Sequence, residues 1–193
     1  MTTASVPEFS GRRRAAWVLT LGLAAAGLSA AIALRQTPHQ HTDLTGGGAP
    51  PFALPVLRLN GNGPTQARIG PQDLLGKPLL VHFWAPSCTP CAEELPRWQA
   101  LWLREKDQHN LQILTVAGDE SLDVIAFLRS RGISLPVVHD ATGAAHKAWK
   151  VDGIPFSAAV SASGQVLGSV EGPLSEEGLA ALVDLARSGV AKP

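Results

Sequence analysis

The stretch Leu79-Leu80-Val81-His82-Phe83-Trp84-Ala85-Pro86-Ser87-Cys88-Thr89-Pro90-Cys91 decides how the chain is read. Its first six residues are apolar apart from one histidine, and a run of that length reads as a buried strand. A helix is predicted to follow, from about Thr89 to Lys106. Cys88 therefore falls where a strand ends and a helix begins. Unpaired amide groups and the positive end of the helix dipole favour a thiolate there. A thiol pKa below the free value of about 8.5 is expected. Cys91 lies one turn along the same helix and can reach back to Cys88. A reactive sulfur with a resolving sulfur behind it is the minimum apparatus for thiol–disulfide exchange.

Both cysteines of the chain belong to this motif. C-x-x-C alone does not separate a redox dithiol from half of a zinc site. Zinc would have to recruit two ligands from His82, His109, His139 and His146. With no second cysteine pair, we favour a redox-active dithiol over zinc and over an inert structural disulfide. No metal and no bound cofactor are expected.

The 193 residues are 45% hydrophobic and 17% charged, which suits one globular domain plus an extra segment. Sixteen basic and sixteen acidic side chains give zero formal net charge. Nothing there points to a nucleic-acid partner, which would call for a basic surface. The one dense basic run, Arg12-Arg13-Arg14, precedes Ala15–Leu34, a stretch without a charge. A helix of that length spans about 30 Å of hydrocarbon. We expect residues 1–14 in the cytoplasm and 15–34 as a single transmembrane anchor, with the rest periplasmic or extracytoplasmic. A cleaved signal peptide is the competing reading, with Ala31-Ile32-Ala33 as the processing site. Either way the dithiol meets an oxidising compartment, where keeping it reduced needs electrons from a partner.

Residues 35–51 are polar and rich in Gly and Pro, and read as a flexible tether. Its His39 and His41 read as solvated side chains rather than metal ligands. The domain is expected over 52–188, with a short tail at 189–193. A hairpin over 52–59 and 65–69 opens it. After a short helical turn at 71–75 comes the central strand. Further strands are expected at 111–117, 135–139, 154–160 and 165–170, the last two joined by Ser161-Ala162-Ser163-Gly164. Helices are expected at 121–131, capped by Ser121, at 141–150, and at 175–187. Alternating strands and helices ending in a hairpin give an α/β domain, its mixed sheet covered on both faces.

Three residues around the dithiol invite roles. Pro96 inside the helix is expected to kink it and re-aim the turn carrying both sulfurs. Glu94, three residues after Cys91, either tunes the thiol and takes up its proton, or is a solvated first-turn carboxylate. His82 is either the base that deprotonates Cys91 or a core histidine bonded to backbone.

Taken together, Gly76-Lys77-Pro78, Phe83-Trp84-Ala85, Cys88-Thr89-Pro90-Cys91, Glu94-x-Pro96, Asp140 and Gly153-Ile154-Pro155 resemble the thioredoxin superfamily. The helix and strand inserted between Ser121 and His139 narrow this to the membrane-tethered TlpA/ResA/CcmG (DsbE)-like oxidoreductases. The resemblance covers about residues 51–185. It implies that Cys88 attacks and Cys91 resolves, and it favours a tuning role for Glu94. It also implies that Pro155 is a cis proline against the dithiol, with the Ile154 backbone free to pair with a substrate chain. Trp84 and Pro90 are expected to join Ile154 in binding substrate. Three departures stand out. Ser87 replaces a tryptophan, Phe156 replaces a threonine and is expected to alter the substrate groove, and His82 stands where relatives carry Asp or Asn.

The expected protein is a monomeric, anchored thiol–disulfide oxidoreductase; the resemblance implies that it reduces protein disulfides, fed by an electron-donating membrane protein. Apocytochrome c is one candidate target. A Cu(I) metallochaperone and a thiol peroxidase are the alternatives.

Overall fold

The structure, a computed structural model, describes residues 39–40, 44–60, 63–108 and 110–189. Among them, eight strands form one mixed sheet: β1 (His39–Gln40), β2 (Leu54–Leu57), β3 (Pro64–Ile69), β4 (Leu79–Trp84), β5 (Gln112–Ala117), β6 (Val137–His139), β7 (Phe156–Val160) and β8 (Val166–Glu171). Their spatial order is β1-β8-β7-β4-β5-β6-β2-β3. The central β4, β5 and β6 run parallel. β7 lies antiparallel against β4, and the β2–β3 hairpin is added beside β6. Four helices complete the domain: α1 (Thr89–Glu105), α2 (Ser121–Ser130), α3 (Ala144–Ala148) and α4 (Glu176–Ser188).

Every residue of β4 is buried, as a strand covered on both faces must be. Side-chain alternation divides it between two cores. Leu80 and Trp84 face a core with Leu95, Trp98 and Leu101 of α1 and Val124 and Leu128 of α2. Leu79, Val81 and Phe83 face the other, with Trp149 after α3 and Phe156 of β7. His82 has the parity of Leu80 and Trp84, so it lies beneath α1. Its ring stacks on Trp98 at 4.3 Å between centroids.

Several expected boundaries move, each for a local reason. The third helix begins only at Ala144, because Gly143 before it has φ +69°, outside the helical region. Glu120, not Ser121, caps α2, and it makes no side-chain capping bond. The strand expected from Ile154 begins at Phe156, after a cis Ile154–Pro155 bond. Pro96 lies inside α1, which continues through it to Glu105.

The largest correction concerns the tether. Its described part is bonded to the sheet: β1 pairs with β8, and Gly46 and Ala49 donate amide bonds to Val166 and Gly164. Trp149 Nε1 donates to the Pro50 carbonyl at 2.8 Å. Backbone groups beside an open sheet edge pair readily, so this Gly-rich segment covers β8 instead of hanging free. The expected cytoplasmic segment, the anchor over 15–34 and all of the tail except Gly189 lie outside the described residues. Among the described residues, no helix is long and apolar enough to cross a membrane.

Candidate active site

Cys88 and Cys91 form a disulfide, with their Cα atoms 5.3 Å apart. Cys88 is the N-cap of α1, in an extended conformation, and its sulfur accepts the Cys91 amide at 3.3 Å. Pro90 follows in the first turn, where its missing N–H leaves no bond unmade. The two sulfurs differ in access: Cys88 is half-buried and Cys91 is fully buried. An incoming sulfur therefore meets Cys88. Once the bond opens, the Cys91 amide and the positive end of α1 face a Cys88 thiolate.

Two loops from other elements complete the rim. The Ile154 carbonyl oxygen lies 3.6 Å from Cys88 Sγ, immediately before the cis Pro155. A disulfide sulfur has no proton to donate, so this is a contact in the oxidised state and a place for an S–H in the reduced one. From the loop after β5, Asp119 Oδ2 accepts the Ser87 amide at 3.0 Å. Asp119 thus fixes the residue before the attacking cysteine, and its own carbonyl lies 2.9 Å from His139 Nε2.

Beneath the dithiol, on the α1 side of the sheet, Glu94 and His82 meet in the core, at 1% and 0% exposure. His82 Nε2 lies 3.3 Å from Glu94 Oε1. That separation is long for a hydrogen bond, and Nε2 makes no hydrogen bond in the structure. Trp98 Nε1 donates to the same Oε1 at 3.3 Å, and the Leu174 amide donates to Oε2 at 2.8 Å. His82 Nδ1 lies 3.0 Å from Ser157 Oγ. Burial pushes the Glu94 carboxyl up to about 7, against the pull of the Leu174 amide, Trp98 and Arg97. Burial pushes the His82 imidazole down to about 3, against a hydrogen bond with the Phe156 backbone. At neutral pH the ring is therefore uncharged, while the carboxyl is near its midpoint.

The model of the AhpC/TSA family matches residues 45–166. The chain belongs to the AhpC/TSA family. The chain is 30% identical to thiol-disulfide oxidoreductase ResA of Bacillus subtilis over 123 residues, covering 63% of this chain and 68% of the relative. It is 29% identical to ResA of Oceanobacillus iheyensis over 131 residues, covering 67% of this chain and 66% of the relative. The match thus spans about two thirds of these relatives' length. Among solved structures, a Chlorobium tepidum protein described as thiol:disulfide interchange protein DsbE superposes with TM-score 0.64 at 26% identity. That match covers 74% of this chain and 97% of the other. StoA of Bacillus subtilis, at 23% identity and TM-score 0.56, shares the fold, covering 70% of this chain and 98% of the other. The fold is thioredoxin-like, and the resemblance to ResA- and DsbE-type proteins stands.

In this family member most of the candidate residues separate into two groups. Cys88, Cys91, Pro90, Ile154 and Pro155 gather at the rim. Glu94 and His82 gather below it, 3.3 Å apart and both buried, so Glu94 is not a solvated first-turn carboxylate. No hydrogen bond joins His82 to either sulfur in the structure, and its neighbours are Glu94, Ser157, Trp98 and the Phe156 backbone. Trp84 and Phe156 fall in neither group. Both are fully buried, so Trp84 does not present a surface to substrate and Phe156 does not line the rim. Trp84 packs against Phe127 at 5.7 Å, and Phe156 against Phe83 at 5.8 Å. Asp119, Ser157 and the Leu174 amide escaped the sequence reading. Asp119 alone carried a local signal, as the second residue past a predicted parallel strand, where sites of α/β folds gather. Among the described residues, no three His, Cys, Asp or Glu side chains group as metal ligands.

Proposed function

We propose that the chain is an extracytoplasmic thiol–disulfide oxidoreductase that reduces protein disulfides through Cys88 and Cys91. The observation that carries this is the pairing of a half-buried Cys88 with a fully buried Cys91 at the mouth of α1. In the reduced protein, the Cys88 thiolate attacks one sulfur of a target disulfide. A Cys88–target bond forms, the target disulfide breaks, and the second target sulfur leaves as a thiolate that takes a proton. The Cys91 proton then passes to the Glu94 carboxylate. Cys91 attacks Cys88 Sγ, the Cys88–Cys91 bond forms, and the first target sulfur departs. The target gains two electrons and the two cysteines lose two. Ile154 and Pro155 border the attacked sulfur, so the incoming chain pairs with the Ile154 backbone while Pro90 flanks it.

Ala15–Leu34 anchors this domain in the membrane with residues 1–14 inside, and an electron-donating membrane protein re-reduces the dithiol. Apocytochrome c is one target class. Cys91→Ser tests the chemistry: the variant should accumulate a stable mixed disulfide on Cys88, and Cys88→Ser should accumulate none. A protein with no reversible Cys88–Cys91 bond would end the proposal. Direction is tested by the reduction potential. Thioredoxin-fold dithiols span about −270 to −120 mV, and a value near the oxidising end would reverse the assignment.

A further inference from the structure

The contact between His82 and Glu94 has an unusual third member. β4 and β7 pair antiparallel with His82 directly opposite Ser157. Imidazole and hydroxyl can each donate or accept at the same atom, depending on tautomer and rotor. We propose that His82 and Ser157 form a tautomeric relay that lets Glu94 hold or release its proton without leaving a buried polar atom unpaired. This rests on the proposed role of Glu94 in exchange.

The relay has two arrangements. With Glu94 neutral, its Oε1–H turns to donate to His82 Nε2, which stands 3.3 Å away without a hydrogen bond in the structure, and Nδ1–H donates to Ser157 Oγ across 3.0 Å. With Glu94 charged, Nε2–H donates to the carboxylate, and the Ser157 hydroxyl turns to donate to Nδ1. The ring carries one proton in both arrangements, and the trio as a whole loses one. In a titration of the oxidised protein that proton goes to water. In exchange it goes to the Cys91 sulfur when that leaves as a thiolate. Without the relay, one state would strand a buried donor or acceptor, a loss of the kind that holds a carboxyl in one form.

The groups facing the pair are consistent with an uncharged ring. α1 contributes Arg97, whose charge acts on Glu94, with the Trp98 indole N–H. The loop before α4 contributes the Leu174 amide, and β7 the Ser157 hydroxyl. His82 and Ser157 are positioning residues here, acting through Glu94.

Nitrogen-15 NMR of the full oxidised chain, labelled at histidine, tests the relay. The His82 ring should stay neutral from pH 5 to 9 while its proton moves from Nδ1 to Nε2, with a midpoint at about 7. Glu94→Gln should freeze one tautomer. Ser157→Ala should keep the fold and shift the midpoint by half a pH unit or more, about threefold in the ionisation constant. A single tautomer throughout, an imidazolium in that range, or an unmoved midpoint in Ser157→Ala would overturn the relay. If Cys91→Ser still traps targets while the tautomer stays fixed, the relay falls and the exchange chemistry stands.

Discussion

Replacing Glu94 by Gln should expose a titration that the native protein conceals. In the folded chain the Glu94 carboxyl rises from 4.5 to about 7, and the His82 imidazole falls from 6.5 to about 3. Between pH 4.5 and 6.5 the folded pair holds one proton, on Glu94. The unfolded pair also holds one, on His82. Equal proton counts make stability independent of pH in that window. Above 6.5 the folded pair still binds more, so stability falls as pH rises through 7. Below 4.5 the unfolded pair binds more, so stability falls as pH drops towards 3. With Gln at 94 the carboxyl contribution vanishes. The buried neutral histidine alone then costs stability as pH falls below 6.5, at about 1.4 kcal/mol per unit. Across the two-unit window this is roughly 2.7 kcal/mol. His82→Leu should slope the opposite way, gaining stability as pH falls from 7 to 4.5. Urea unfolding of the oxidised protein at half-unit pH steps reads both slopes, and subtracting the native curve removes the other ionisable groups. Parallel curves for native protein and Glu94→Gln from pH 4.5 to 6.5 would refute the raised Glu94 carboxyl, and a flat Glu94→Gln curve would refute the lowered His82 imidazole.

Other expectations follow from single contacts. Trp98→Phe keeps the ring against His82 but removes an N–H from Glu94 Oε1. The carboxylate loses a donor, so the inflection in exchange rate near pH 7 should move to higher pH, and an unmoved inflection would remove Trp98 from the site. Asp119→Ala releases the Ser87 amide and should cost about 1 kcal/mol in urea unfolding. A chain cut to begin at Phe52 loses the amide bonds from Gly46 and Ala49 and the Trp149–Pro50 bond. At about 1 kcal/mol per bond, thermal unfolding should show a loss of a few kcal/mol, where a free tether would show none. Leu95→Ala empties a site at 0% exposure under α1 and should cost about 2–5 kcal/mol by chemical denaturation.

What could be read ahead of the fold depended on how far apart the partners lie in sequence. The strand from Leu79, the helix from Thr89 and the reach from Cys91 to Cys88 are local, and hydrophobic runs and helical spacing encode them. His82 shares parity with Leu80 and Trp84, but which face α1 covers is not written in the strand. Trp84 was expected to touch substrate, and it is buried because α1 and α2 cover its face of the strand. Pro155 needed a resemblance, since no spacing within the chain encodes a cis bond. The tether misled because Gly46-Gly47-Gly48 has the composition of a free linker. Whether such a segment pairs depends on where β8 leaves an open edge, and composition does not carry that.

The partners of the buried pair lie furthest from view. Ser157 is 75 residues from His82, and Leu174 is 80 from Glu94. They arrive through the β4–β7 register and through the loop that leads into α4. A slip of one residue in that register would turn Ser157 to the opposite face and bring an apolar neighbour, Phe156 or Ala158, opposite His82. The sulfurs would remain where α1 holds them, while Glu94 would lose the partner chain that accommodates both of its proton states. Sulfur placement and proton control are therefore carried by different parts of the fold: the first by one strand–helix junction, the second by strand pairing across the centre of the sheet. A substitution that alters the β4–β7 pairing should change the pH dependence of exchange while leaving the geometry of the Cys88–Cys91 bond intact.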